Sequence, residues 1–339
     1  MRKSWFKPLL ATAVTVFSFS VASVAQAQAP LKMAYALSQT SHYGAGGDAF
    51  AKSLEASSQG KFKVQQFANS ALGGEREVIE GLQLGTIDLA ILSTGATLNF
   101  VPQTGVFDVP FLMRDLAHAR KVLDGQIGQA MLAEFSKRGL VALAWGEQGF
   151  RHLTNSKRPV VSAADAKGLK IRTTENQVHI TAFRQIGILP TPMAWPEVAT
   201  ALQQGTIDGQ ENPLSVFQAA KLQSVGQKHV TLWGYMNDPL IFVVNKDVWA
   251  SWTPEDREIV RQAAIDAGRE EIAIARKGLV EAGKPLVKEL EALGVTVTDL
   301  NAEQRKAFAD ATKAVYTKWK PQIGTNLVDM AEKAIAARK

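Results

Sequence analysis

Apolar and polar positions change rhythm in short blocks along the chain. Residues 31–37 (LKMAYAL), 62–67 (FKVQQF), 87–92 (IDLAIL) and 140–145 (LVALAW) read as strands. A small-residue turn from Ser41 to Gly47 is expected to lead into a helix near 48–58, stopped at Gly60. Helical patterns follow at 75–84, before the Gly85-Thr86 turn, and at 115–138, before Gly139. Strands alternating with helices predict an α/β protein with largely parallel sheets.

One segment is echoed. Glu77-Val78 opens a helix that runs to Leu82-Gln83-Leu84-Gly85-Thr86-Ile87-Asp88, and Glu197-Val198 opens another that runs to Leu202-Gln203-Gln204-Gly205-Thr206-Ile207-Asp208, 120 residues later throughout. In each copy a glycine able to take the left-handed conformation ends the helix, and a strand starts two residues on. Helix–glycine–strand units are common, but the matched stretch favours two similar lobes, with a ligand cleft between them. The C-terminal third differs. Thr253-Pro254-Glu255-Asp256 is a helix start, with an N-cap threonine, an early proline and acids at the positive end of the dipole. A helical pattern continues toward Leu293, broken only around Gly283–Pro285. At 1.5 Å per residue that is about 60 Å, enough to cross both lobes, with Pro285 interrupting it.

Composition narrows the class. The 339 residues are 46% hydrophobic and 21% charged, an ordinary globular balance for two domains. No cysteine is present, which excludes disulfides, thiol catalysis and Cys-ligated metals. Residues 1–8 (MRKSWFKP) are basic, 9–24 are apolar or small and uncharged, and Ala25-Gln26-Ala27 is an A-x-A cleavage pattern. Residues 1–27 therefore read as a signal peptide, and the apolar run is short for a membrane anchor. Without Arg2, Lys3 and Lys7 the formal charge of +6 falls to about +3, too little and too evenly spread to argue for nucleic acid. The expected product is an exported chain, not inserted in the membrane.

The five histidines form no HExxH or other close pair, and no GxSxG or GxxxxGK[ST] motif occurs. Gly44-Ala45-Gly46-Gly47-Asp48-Ala49 matches G-x-G-x-x-A after a strand, which raises a dinucleotide-dependent oxidoreductase. That reading needs an acid at the end of the second strand, where this chain has Gln65-Gln66-Phe67-Ala68-Asn69. Glycines that let a helix approach a strand are the better explanation. No cofactor, metal or catalytic residue is expected; a secreted scaffold or adhesin is the remaining competitor from another class.

Five segments are more specific: Leu72-Gly73-Gly74-Glu75-Arg76-Glu77, Phe107-Asp108-Val109-Pro110-Phe111-Leu112, Gly149-Phe150-Arg151-His152-Leu153-Thr154-Asn155, Gly168-Leu169-Lys170-Ile171-Arg172, and Pro190 through Trp195 to Asp208-Gly209-Gln210-Glu211-Asn212-Pro213. In this order they closely resemble the extracytoplasmic solute-binding proteins of tripartite ATP-independent periplasmic (TRAP) transporters, C4-dicarboxylate-binding type, over essentially the whole mature chain. The resemblance implies a two-domain periplasmic-binding-protein (Venus-flytrap) fold with a hinge of strands and a long helix bridging both domains. It implies no enzyme, but a periplasmic receptor that closes on an organic acid and docks transiently on the TRAP permease subunits. The expected division is residues 28–148 plus 237–276 for domain I and 149–236 plus 277–339 for domain II.

The resemblance also assigns roles. Arg172 matches the arginine that forms a bidentate pair with the ligand carboxylate, a task suited to a planar guanidinium that stays charged when desolvated. Asn212, in the DGQENP turn, matches an amide that reaches the same carboxylate. Arg151 is a second cation, for the ligand or for an interdomain ion pair. Trp195 matches a pocket aromatic, often phenylalanine. Glu175 aligns with a ligand-contacting position. Position in the chain adds Glu147, Ser93 and Thr94 at a strand end, and Gln39 and His42 in the first strand–helix loop; His152 and His179 are expected to be structural. Acceptors such as Glu147 and Glu175 suit hydroxyls and repel a second carboxylate. A sugar acid, uronic or aldonic, is therefore the first expectation, ahead of a C4-dicarboxylate or an aromatic or keto acid.

Overall fold

The computed structural model describes residues 29–336 apart from 114, 281 and 282. The expected leader, 1–27, lies outside the described residues. The strands are β1 (Leu31–Tyr35), β2 (Val64–Phe67), β3 (Leu89–Ser93), β4 (Leu140–Trp145), β5 (Gly149–Phe150), β6 (His152–Asn155) and β7 (Lys170–Thr173). They continue as β8 (Leu189–Pro192), β9 (Gly209–Asn212), β10 (His229–Leu232), β11 (Asn237–Asp238), β12 (Leu240–Asn245) and β13 (Thr296–Asp299).

Two sheets carry two lobes. The first runs β2-β1-β3-β12-β4, parallel across β2, β1 and β3, with β12 antiparallel to both neighbours. The second runs β13-β10-β6-β9-β7-β8 and is mixed. Between them β5 and β11 pair antiparallel, Gly149 with Asp238 and Phe150 with Asn237, where the chain passes from one lobe to the other and back. Strand β12 is buried along its whole length because both faces of its sheet are covered. Ile241 and Val243 pack with Ile79 and Leu92 on one face, while Leu240, Phe242 and Val244 pack with Tyr35 and Ile91 on the other.

The chain after β1 becomes helical earlier than expected. Helix His42–Ser57 starts inside the supposed turn, with the Ser41 hydroxyl accepting from the Gly44 N–H. Its glycines are there for close packing. A Cβ on Gly46 would lie 3.1 Å from Glu271 Cβ, and one on Gly47 would lie 2.3 Å from Gln66 Oε1. Each glycine costs a helix about 0.5–1 kcal/mol, which the close approach offsets. The G-x-G-x-x-A lookalike thus lies within the first turns of a helix, packed on its neighbours, and is not a phosphate loop. The 115–138 pattern is two helices, Leu116–Asp124 and Gln126–Ser136, divided by an extended Gly125.

The long C-terminal pattern also divides. Helix Pro254–Arg276 has 23 residues, about 35 Å, and the next helix starts at Pro285 and ends at Ala292. Between them Gly278 and Lys284 have φ of 78° and 43°, outside helical space, so no 60 Å rod forms. Helix Ala302–Ile323 packs on both Gln177–Gln185 of the second lobe and Pro102–Val106 of the first. Helix Thr325–Ala336 then places Val328 and Ala331 in the first lobe's core, although the expected division gave 277–339 to the second. Apolar side chains there complete a cluster with Met131 and Phe135. Among the described residues no helix is long and apolar enough to cross a membrane.

The echo is structural. Gly85 and Gly205 take φ of 74° and 69°. Asp88 and Asp208 each accept the backbone N–H of a lysine on the neighbouring strand, Lys32 at 2.8 Å and Lys170 at 2.9 Å. Thr86 and Thr206 donate to Gly81 O and Ala201 O. The two helix–strand units are the same device used once per lobe.

Candidate ligand-binding site

The cleft is built from the carboxyl ends of strands and the amino ends of helices, where open α/β sheets place ligands. Arg172 is the third residue of β7, Asn212 ends β9 and Ser93 ends β3. Asn212 therefore belongs to a strand rather than a turn, with Pro213 opening the next helix, Leu214–Ala219. Trp195 and Glu75 are the first residues of helices Trp195–Gln203 and Glu75–Leu84. Neither helix has a side-chain N-cap, so both positive dipole ends reach the cleft.

Two joined chambers lie between the lobes. The inner one, about 20 Å³, is lined by Arg172, Asn212, Arg151, Trp195, Glu75, Ser93 and their neighbours. The outer one, about 320 Å³, shares Arg172, Trp195, Glu75 and Thr174 and adds Arg76, Glu175 and Asn99. The lobes touch at its rim: Asn99 Nδ2 donates to Glu175 O at 2.8 Å, and Asn176 Nδ2 donates to Gly95 O at 3.0 Å.

Arg172 is 4% exposed. Its Nε and Nη2 donate to Met193 O at 3.0 and 2.9 Å, and its guanidinium lies 5.7 Å from the centre of the Trp195 ring. It has no carboxylate within ion-pair distance among the described residues, whose pairs are Lys157–Asp208, Arg151–Glu211 and others elsewhere. Burial, then the neighbouring Arg151 charge, pulls its pKa down to about 10. This is a desolvated cation facing a cavity and lacking a paired carboxylate among the described residues, and a ligand anion would be held strongly by it. Asn212 sits beside it with Nδ2 donating to Gln210 Oε1 at 2.5 Å.

Arg151, 1% exposed, is placed differently. Its Nε donates to Glu211 Oε2 at 2.5 Å and its Nη2 to Glu211 Oε1 at 2.9 Å, while Nη1 pairs with Asp238. Tyr235 and Ser93 add hydroxyl donors to Glu211 and Asp238, each at 2.8 Å. Burial works against the Arg151 charge, but the two carboxylates outweigh it and hold its pKa well above the usual value. The pair joins β9 to β11, the hinge side of the cleft, so Arg151 touches the inner chamber with its charge already balanced.

Glu75 was not singled out from the sequence, although it lies in the Leu72–Glu77 motif and exactly one repeat spacing before Trp195 would have pointed to it. Its Oε1 accepts the Ser93 N–H at 2.6 Å. Burial pushes its pKa up to about 7, against the pull of that hydrogen bond.

The remaining expected residues divide. Glu175 lines the outer chamber. Ser93 lines the inner one but spends its hydroxyl on Asp238, and Thr94 Oγ1 lies 3.4 Å from the same carboxylate. Glu147 is not on the cleft: its oxygens take the Arg276 fork at 2.7 and 2.5 Å on the far side of the hinge, because helix Pro254–Arg276 ends there. Gln39 is exposed and donates to Asp48. His42 is buried as the first helical residue, and its neighbour Tyr43 lines the chamber instead.

The fold and cleft define a two-lobed α/β receptor. The profile of bacterial extracellular solute-binding protein, family 7 (DctP), matches residues 33–322, and the chain belongs to that family. Three solved TRAP periplasmic solute-binding proteins are similar to it. One from Bordetella, with density assigned as pantoate, is 58% identical, with a TM-score of 0.85 over 91% of this chain and 99% of that one. One from Ralstonia eutropha, with bound (S)-2-acetolactate, is 45% identical, with a TM-score of 0.89 over 92% and 100%. One from Polaromonas, bound to D-erythronate, is 42% identical, with a TM-score of 0.84 over 90% and 98%. Members of the family are extracytoplasmic receptors of TRAP transport for small organic acids, not enzymes.

Proposed function

We propose that this protein is a periplasmic receptor for a short hydroxylated monocarboxylate, which it encloses between its lobes and delivers to a TRAP permease. The observation that carries the reading is Arg172, a buried guanidinium on the interlobe cavity with no carboxylate within ion-pair distance among the described residues. The ligand carboxylate pairs with Arg172 and takes the Asn212 amide. Trp195 covers an apolar side of the ligand, and Glu75 and Glu175 accept from its hydroxyls.

Charge favours a monocarboxylate. Arg151 is consumed by Glu211 and Asp238, and Arg76 pairs with Glu80, so among the described residues that line the cleft Arg172 is the cation left for an anion. A second carboxylate would meet Glu75 and Glu175. The inner chamber, about 20 Å³, takes only the carboxylate end, and the body of the ligand lies in the outer chamber of about 320 Å³. Pantoate, acetolactate and erythronate, named with the three similar structures, are all 2-hydroxy monocarboxylates. A thermal-shift screen with pantoate, acetolactate, erythronate, glucuronate, gluconate and succinate tests the reading, because a ligand of the native state raises the melting temperature. Stabilisation by succinate with none by the 2-hydroxy acids would overturn it.

A further inference from the structure

A second cavity, larger than either chamber of the cleft, lies outside it. About 500 Å³ opens behind the hinge, and both lobes line it. The first lobe supplies Leu116, Ala275 and Arg276; the second supplies Leu214, Leu232, Val287 and Arg305. The wall between this cavity and the cleft is the hinge segment itself. Arg151 and Asn212 line the inner chamber, whereas their chain neighbours Phe150, His152 and Pro213 line the hinge cavity, and Gln148 lines both.

Among the described residues the hinge cavity has an apolar floor and one cation to spare. Arg276 is engaged by Glu147, and Lys284 lies 3.8 Å from Asp299. Arg305 donates from Nη2 to Gly234 O at 3.0 Å and stands 5.9 Å from the centre of the Phe111 ring. Among the described residues it has no carboxylate within ion-pair distance, Asp299 being nearer to Lys284. A volume of this size, mostly apolar with one half-buried guanidinium, matches a small-molecule site.

We propose that the hinge cavity is a second binding site, for an amphipathic monoanion with an apolar body and one carboxylate or sulfonate held by Arg305, and that its occupancy favours the closed cleft. The coupling is geometric. The β5–β11 crossing lies between the cleft and the cavity, so a rotation of the lobes about it that opens the cleft on one side would narrow the cavity on the other. A molecule that fills the cavity binds the closed form better and must populate it. This coupling rests on the closure described under the proposed function; the site itself does not.

The probe is 8-anilinonaphthalene-1-sulfonate, followed by its fluorescence on the full mature protein. Expected are one saturable site, a loss of at least about tenfold in affinity for Arg305→Gln, and near-normal binding for Arg305→Lys and Arg172→Ala. Saturating probe alone should reduce the radius of gyration in small-angle scattering. It should also tighten binding of D-erythronate, and erythronate should tighten probe binding by the same factor. Unchanged probe affinity in Arg305→Gln, or displacement of the probe by erythronate, overturns the second site. Probe bound at Arg305 with an unchanged radius of gyration overturns the coupling. A failure of erythronate to bind overturns only the choice of cleft ligand, since the variant and scattering arms do not use it.

Discussion

Glu75 and Trp195 occupy the same position in the two halves of the molecule and face one cavity from opposite lobes. They are 120 residues apart in the chain, and each is the first residue of a helix that ends at a left-handed glycine. Both line the inner and outer chambers. The residues just before them also meet: a Cβ on Gly74 would lie 3.1 Å from Ala194 Cβ. A duplicated unit has thus been used to bring an acid and an aromatic ring, together with two helix amino termini, around one ligand.

Removing Arg172 should abolish binding and spare the fold. Losing one partner of a desolvated charge pair costs about 2–5 kcal/mol, roughly 30- to several-thousand-fold in affinity. Arg172→Ala should show this loss by calorimetry. Arg172→Lys should also bind poorly, since a point charge lacks the fork. Arg172→Met should melt no lower than wild type without ligand, because it removes an uncompensated buried cation. Unchanged affinity in the alanine or lysine variant would remove Arg172 from the site.

Arg151 should behave in the opposite way. Arg151→Ala leaves Glu211 and Asp238 buried without their cation, and breaking such a pair costs about 3–5 kcal/mol of stability. A clear drop in melting temperature of the ligand-free protein is expected. A normal melting temperature combined with lost ligand affinity would instead make Arg151 a direct ligand contact.

Gly74→Leu should hold the cleft open. The backbone there is extended, with φ −69° and ψ 173°, so it accepts any residue, and the nearest local atom, Glu77 Oε2 at 2.8 Å from the Cβ position, is the end of a flexible side chain that can move aside. In the closed form it would collide with Ala194 and with Pro196, whose Cδ lies 3.9 Å from the Cβ position. The variant should keep its fold and lose about tenfold or more in affinity, with a larger radius of gyration under saturating ligand. Wild-type affinity and compaction would show that the lobes do not meet at Gly74 in the complex.

Binding should weaken as pH rises through about 7. Burial raises the Glu75 pKa to about 7, so the carboxyl is largely neutral below that pH and becomes an anion above it, beside the ligand anion. An anionic ligand favours the protonated form, so a proton is taken up on binding near neutrality. By the same linkage, Glu75 contributes destabilisation of the ligand-free fold as pH rises from its unfolded value of about 4.3 toward 7. Calorimetry in buffers of different ionisation enthalpy should detect the uptake, and Glu75→Gln should abolish it. A flat pH profile in wild type between 6 and 8 would contradict this assignment.

The chain's pattern was enough for the lobes. The repeat of Gly85-Thr86-Ile87-Asp88 at Gly205-Thr206-Ile207-Asp208 foretells two matching units, because a left-handed glycine and a strand-starting aspartate act within a few residues of themselves. The DGQENP block and the strand carrying Arg172 likewise mark the cleft, since strand ends are set by local sequence. Local pattern failed where packing decides. Gly44–Gly47 reads as a turn until packing is known: Gly46 faces Glu271 of helix Pro254–Arg276, Gly47 faces Gln66, and Gly44 faces the Gln39 backbone, each too close for a side chain. Glu147, Arg151 and Arg172 are equivalent in a sequence, three charges near strand ends. Only the tertiary structure gives Glu147 to Arg276, gives Arg151 to Glu211 and Asp238, and leaves Arg172 with no paired carboxylate among the described residues. A charge is neutralised by whatever lies within a few ångströms of it, and for these residues those neighbours come from 60 to 129 positions away.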